Sequence, residues 1–91
     1  MALLDLLGRR WTLRLLWELR DGQPLTFREL QGRCDSMSPS VLNERLAELR
    51  AAGIVENRAG SGYRLTKEGR SLLDSLAPLN DWAGRWARRS R

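Results

Sequence analysis

Histidine is absent and cysteine occurs once, at Cys34, so the chain offers no imidazole base, no internal disulfide and no multi-thiolate metal site. Most metal and acid–base chemistry falls away with those two residues, and no cofactor is expected. Long hydrophobic runs are also missing: Arg, Asp or Glu interrupts every apolar stretch well short of the roughly 20 residues that span a bilayer. The opening Met1-Ala2-Leu3-Leu4-Asp5 lacks the basic segment and small-residue cleavage site of a secretory signal. A soluble, cytoplasmic protein with no membrane partner is the expectation. Internal repeats are absent, and Gly60-Ser61-Gly62 is too short and isolated to be a nucleotide-binding loop. No nucleophile stands with a base, and no carboxylate pair marks a cleft, so an enzyme is not expected.

What is present is arginine. Sixteen basic residues, all but Lys67 arginines, face eleven acidic ones for a net charge of +5, the balance of a protein that meets phosphates. Ninety-one residues of 42% hydrophobic composition suit one domain, 1–91, with one limited core. A chain this short buries only about 60–65% of its unfolded surface, so self-association would help it.

Leucine and tryptophan recur at helical spacing from about residue 2 to 20, and Asp21-Gly22 with Pro24 ends that helix. Thr12, Leu15, Leu16 and Leu19 share one face, whereas Leu13 and Trp17 point the opposite way across a narrow polar wedge at Arg14 and Glu18. A helix apolar on two sides has two neighbours, the domain's own core and either a loop of the same chain or a second subunit. Thr26-Phe27-Arg28-Glu29 fits a capping box and starts a short helix to about Gly32. Ser38-Pro39 supplies an N-cap and a first-turn proline for a third helix, in which Leu42, Leu46 and Leu49 mark the buried face until Ala52-Gly53. Residues 54–56 and 63–65 are β-prone runs flanking a glycine-bearing loop, 57–62, which predicts a hairpin. Thr66 then caps a last helix over about 67–89, with Leu72, Leu76, Leu79, Ala83 and Trp86 in one stripe, Leu73 and Trp82 widening it, and Pro78 expected to kink or divide it.

The order is that of a mainly α winged helix-turn-helix with a small β-hairpin. Such a fold presents the first half of its second motif helix to base edges in the DNA major groove. With Leu42, Leu46 and Leu49 inward, Ser40, Asn43, Glu44 and Ala47 turn outward, while Arg45 at the margin is a further DNA-contact candidate or else a brace of the helix against its neighbour. Asn43 is suited to reading adenine and Glu44 to accepting from cytosine. Ser38 and Ser40 either touch phosphate or serve as a cap and a solvated residue. In the hairpin, Arg58 and Arg64 suit a phosphate or the minor groove, against the plainer role of solubilising charge. Thr26 and Arg28 at one helix start, and Arg10 before Trp11, are weaker phosphate candidates. Cys34 reads as a small buried filler rather than a sensor.

Taken together, Gly8-Arg9-Arg10-Trp11-Thr12-Leu13, Leu25-Thr26-Phe27-Arg28-Glu29-Leu30, the run from Ser38 to Leu49, and Tyr63-Arg64-Leu65-Thr66-Lys67-Glu68-Gly69-Arg70 resemble the HxlR-type winged-helix regulators, relatives of the MarR type. The likeness spans Leu7 to about Trp82. It implies a dimeric prokaryotic transcription regulator, usually a repressor, on a pseudo-palindromic double-stranded operator, with half-sites about one helical turn apart. It also implies dimer contacts from the first and last helices, here Leu4, Leu7, Leu13, Trp17, Leu79, Trp82 and Trp86. Arg10 stands where that family carries a basic residue. Sensing members of the family use a cysteine upstream of the Gly-basic-Trp segment; none precedes Gly8 here, which speaks against that switch, and the sequence leaves any small-molecule effector unknown. The short wing and the acidic Glu44 are further departures. The alternative is a winged helix whose Trp and Leu faces bind a protein partner without specific DNA binding.

Overall fold

The computed structural model describes residues 2–35, 37–58 and 60–89. Seven elements follow one another: α1 (Ala2–Leu7), α2 (Thr12–Glu18), α3 (Phe27–Arg33), α4 (Pro39–Ala51), β1 (Val55–Asn57), β2 (Tyr63–Leu65) and α5 (Lys67–Arg89).

The single helix expected over 2–20 is two helices. Gly8 N–H still bonds the Leu4 carbonyl at 2.8 Å, but Arg9 and Thr12 then bond only three residues back, and Trp11 takes a left-handed φ of 78°. That conformation costs an L-residue on the order of 1–2 kcal/mol. It persists because its neighbours fix it: Trp11 packs against the core, and the Arg10 carbonyl accepts a bond from Arg45 Nε at 2.9 Å instead of continuing the helix. Beyond the break the wheel reading holds, with Thr12, Leu15, Leu16 and Leu19 buried and Leu13 and Trp17 exposed.

Local chemistry starts the next two helices as anticipated. Thr26 Oγ1 accepts the Glu29 amide at 3.1 Å while Glu29 Oε1 accepts the Thr26 amide at 2.9 Å, a complete capping box for α3. Ser38 Oγ accepts the Val41 amide at 3.2 Å and Pro39 occupies the first turn of α4. Leu42, Leu46 and Leu49 are all buried, and with Leu15, Leu16, Leu19, Leu25, Leu30, Cys34, Met37, Val55 and Leu65 they form one apolar cluster between α2, α3, α4 and the hairpin.

Strands β1 and β2 pair antiparallel in the register Val55↔Leu65, Glu56↔Arg64 and Asn57↔Tyr63, so Asn57 belongs to the strand rather than the loop. Leu25 bridges Tyr63 on the free edge through two backbone bonds of 2.9 and 2.7 Å, tying the hairpin to the entry of α3. Gly62 is indispensable to that approach: its φ is 113°, and a Cβ there would lie 3.1 Å from the Leu25 backbone.

Thr66 Oγ1 caps α5 by accepting the Gly69 amide at 3.0 Å, and it donates in turn to carbonyls at Gly53 and Ile54. Among the described residues, α5 packs against the core through Leu72 and Leu73 in its first turns. Pro78 does not divide the helix, which continues unbroken to Arg89. Pro78 and Asp74 both lie on the exposed part of α5, where a carbonyl deprived of its amide partner can bond water. No helix among the described residues is long and apolar enough to cross a membrane.

Candidate nucleic-acid interface

Helix α4 carries two faces of opposite character. Its leucines point into the cluster, while Ser40, Asn43, Glu44, Ala47 and Arg50 are exposed. The buried leucines anchor the helix to the core and leave its outer face to solvent. Ser38 and Ser40 are exposed at the start of this face with their hydroxyls 3.3 Å apart. Ser38 spends one lone pair on the Val41 amide, so the capping role and a phosphate contact are compatible in the same hydroxyl.

Arg50 did not figure among the sequence candidates, yet it is exposed at the last turn of α4. It follows Asn43 and Ala47 at intervals of four and three, the spacing of one helical stripe, and that interval was the available signal.

Thr26 and Arg28 are exposed at the beginning of α3. The Glu29 carboxyl is held below the usual glutamate range, first by the Thr26 amide and then by the Thr26 side chain, with Arg33 adding a smaller pull. An anion arriving at this helix start would therefore meet a carboxylate already committed to the cap.

In the wing, Arg58 is exposed near the loop and its Nε lies 3.7 Å from Glu56 Oε1. Arg64 is held more firmly, with Nε 3.0 Å from Glu56 Oε2 across the strand pair and its side chain half-buried. Arg58 is thus the freer of the two arginines for a phosphate.

The two remaining candidates belong to the α1–α2 turn and its contact with α4. Arg10 is exposed, its guanidinium 5.5 Å from the Trp11 ring centre. Arg45 is turned into the protein: its side chain is only 12% exposed, Nε donates to the Arg10 carbonyl, and Nη1 lies 3.1 Å from Glu48 and 3.2 Å from Glu44.

Cys34 lies in the core, and burial raises its thiol pKa above the ordinary range; Arg14 opposes the shift while Glu18 and Asp35 add to it. A protonated, enclosed thiol fits the filler reading.

Leu4, Leu13, Trp17, Leu79, Trp82 and Trp86 are exposed, together with Leu3, which the sequence reading did not single out. Leu7 differs, being partly buried against the chain's own core. Trp82 and Trp86 stand nearly parallel with ring centres 6.0 Å apart, and Arg20 lies 4.1 Å over the Trp17 ring.

A short helix, a turn, a helix with one outward polar face and a hairpin packed at its end define a winged helix-turn-helix. The chain belongs to the HxlR-like helix-turn-helix family, whose sequence profile matches residues 6–91. It is 32% identical over 88 residues to the uncharacterized HTH-type transcriptional regulator YvaP of Bacillus subtilis (strain 168), covering 90% of this chain and 81% of that protein. The crystal structure of quinone-bound YodB from B. subtilis superposes with a TM-score of 0.83 at 33% identity, covering 92% of this chain and 93% of that one. A possible HxlR family transcriptional factor from Thermoplasma volcanium GSS1 gives a TM-score of 0.84 at 28% identity, over 97% of this chain and 84% of that one. The family is one of DNA-binding transcription regulators, in agreement with the expectation from sequence.

Proposed function

We propose that this protein is a homodimeric transcriptional repressor that binds a pseudo-palindromic double-stranded operator. The observation that carries the reading is the outer face of α4, where Ser40, Asn43 and Glu44 stand exposed on a helix fixed from behind by Leu42, Leu46 and Leu49. Asn43 pairs with adenine and Glu44 accepts from cytosine, while the exposed Arg28, Arg50 and Arg58 supply phosphate donors. Two such faces, related by a two-fold axis, enter successive major grooves about one helical turn apart.

Fluorescence anisotropy tests this directly, with a duplex from upstream of the protein's own gene and a scrambled duplex, each at several salt concentrations. A preference for the upstream duplex that persists as salt rises supports the reading. When both duplexes bind equally and with steep salt dependence, a duplex enriched from a random pool replaces the upstream fragment. Failure to enrich any sequence overturns the reading.

A further inference from the structure

Arg45 sits on the helix that carries the reading face, yet its guanidinium serves the protein interior. Its Nε donates to the Arg10 carbonyl at 2.9 Å, a contact between residues 35 positions apart. Its Nη1 donates to Glu48 Oε1 at 3.1 Å and lies 3.2 Å from Glu44 Oε1, so Arg45 also holds one of the outward-facing carboxylates, and the second Glu48 oxygen lies 3.5 Å from Arg9 Nε. Arg45 and Glu48 therefore grip one turn, Gly8 to Trp11, from two points on α4. That turn is itself conformationally fixed, with Trp11 left-handed and packed against the core. A guanidinium fork can hold a carbonyl and a carboxylate at set angles, which a single ammonium cannot.

We propose that Arg45 is a positioning residue for sequence reading: with Glu48 it locks the rotation of α4 against the α1–α2 turn, so that Asn43 and Glu44 reach base edges in register. The geometry favours this over a phosphate contact because Nε and Nη1 are already engaged within the protein and the side chain is only 12% exposed. A base contact tolerates little misplacement, whereas phosphate attraction tolerates much. Loss of the latch therefore reduces discrimination between sequences before it reduces binding to DNA in general.

This inference rests on the regulator reading, and the test separates the two. A duplex is first enriched from a random-sequence pool by the parent protein; anisotropy then gives the affinity ratio between that duplex and a scrambled one for the parent, Arg45→Lys and Glu48→Gln. The expected result is a ratio lowered about tenfold or more in both variants, with binding to the scrambled duplex and its salt slope retained. A merely structural loss would lower the active fraction and weaken both duplexes together, leaving the ratio unchanged. A phosphate contact would be rescued by lysine, and removal of the Glu48 charge alone would strengthen all duplexes without altering the ratio. If Arg45→Lys keeps the parent's ratio, the latch is overturned while the regulator reading stands. Should Arg45→Lys fail to fold, the Glu48→Gln ratio decides: an unchanged ratio overturns the latch. If the parent enriches no sequence, both readings fall.

Discussion

At Gly69 the first turn of α5 passes so close to the hairpin that a Cβ would overlap the carbonyl oxygen of Ile54. The neighbour is backbone, held by the Thr66 amide at 2.9 Å, and cannot swing aside. Gly69→Ala is expected to destabilise the fold by about 2–3 kcal/mol or more, the range of a forced backbone shift. A urea titration with an unchanged slope and a lowered midpoint is the expected record; a midpoint equal to the parent's would show that α5 can slide. Glu29 offers a second residue-scale test, through pH. Its carboxyl titrates below the ordinary glutamate range in the fold, so its contribution is present above the unfolded-state pKa and is lost as pH falls through the folded one. The melting temperatures of the parent and Glu29→Gln should therefore differ near neutrality and converge in acid. A gap that stays constant from pH 7 to pH 3 would show that charge plays no part in the cap. Both caps were legible in the sequence because each closes within one turn: Thr26 with Glu29, Ser38 with Val41. For Arg45 a brace of the helix against its neighbour was legible only as the alternative to a DNA contact, since its principal partner lies 35 residues away and no local pattern names it.

Among elements, legibility followed the same distinction between local and distant causes. The leucine faces of α2 and α4 were readable because burial on one side leaves a periodic trace. The break at Gly8–Trp11 was hidden because that periodicity runs straight through it, and a tryptophan in the left-handed region has no sequence signature. Pro78, expected to kink or divide α5, does not divide it: a missing N–H stops a helix only where nothing else can satisfy the carbonyl it abandons. The roles proposed for α4 and the wing separate in an experiment at this scale. Asn43→Ala removes a base reader, so binding to the enriched duplex should fall by about 1–3 kcal/mol while the scrambled duplex is unaffected. Arg58→Ala removes a phosphate donor from the wing, so all duplexes should weaken alike and the salt slope should drop by about one unit. If Asn43→Ala weakens both duplexes equally, the outward face of α4 is not reading sequence.

For the whole molecule, the decisive feature is the apolar surface left after the core is complete. Leu3, Leu4, Leu13 and Trp17 at one end of the chain, and Leu79, Trp82 and Trp86 at the other, are exposed, and the last three belong to the portion of α5 beyond its anchor at Leu72 and Leu73. Exposed aromatic and leucine side chains in this number, on a chain whose own core is small, favour burial against a second copy. The proposed operator-binding reading makes a second copy the occupant to test first, since a two-fold pair of reading helices is what a pseudo-palindromic site would require. The parent should therefore sediment at twice the 10.4 kDa chain mass at micromolar concentration. Trp86 is 57% exposed within one chain, so Trp86→Asp should spare the monomer's fold and instead place a charge in the interface, where desolvation makes it costly. The expected variant is folded by circular dichroism, sediments as a monomer, and binds a two-half-site duplex no more tightly than a single half-site. A parent that is monomeric at micromolar concentration would remove the two-fold arrangement altogether. A dimeric Trp86→Asp would move the interface away from the end of α5.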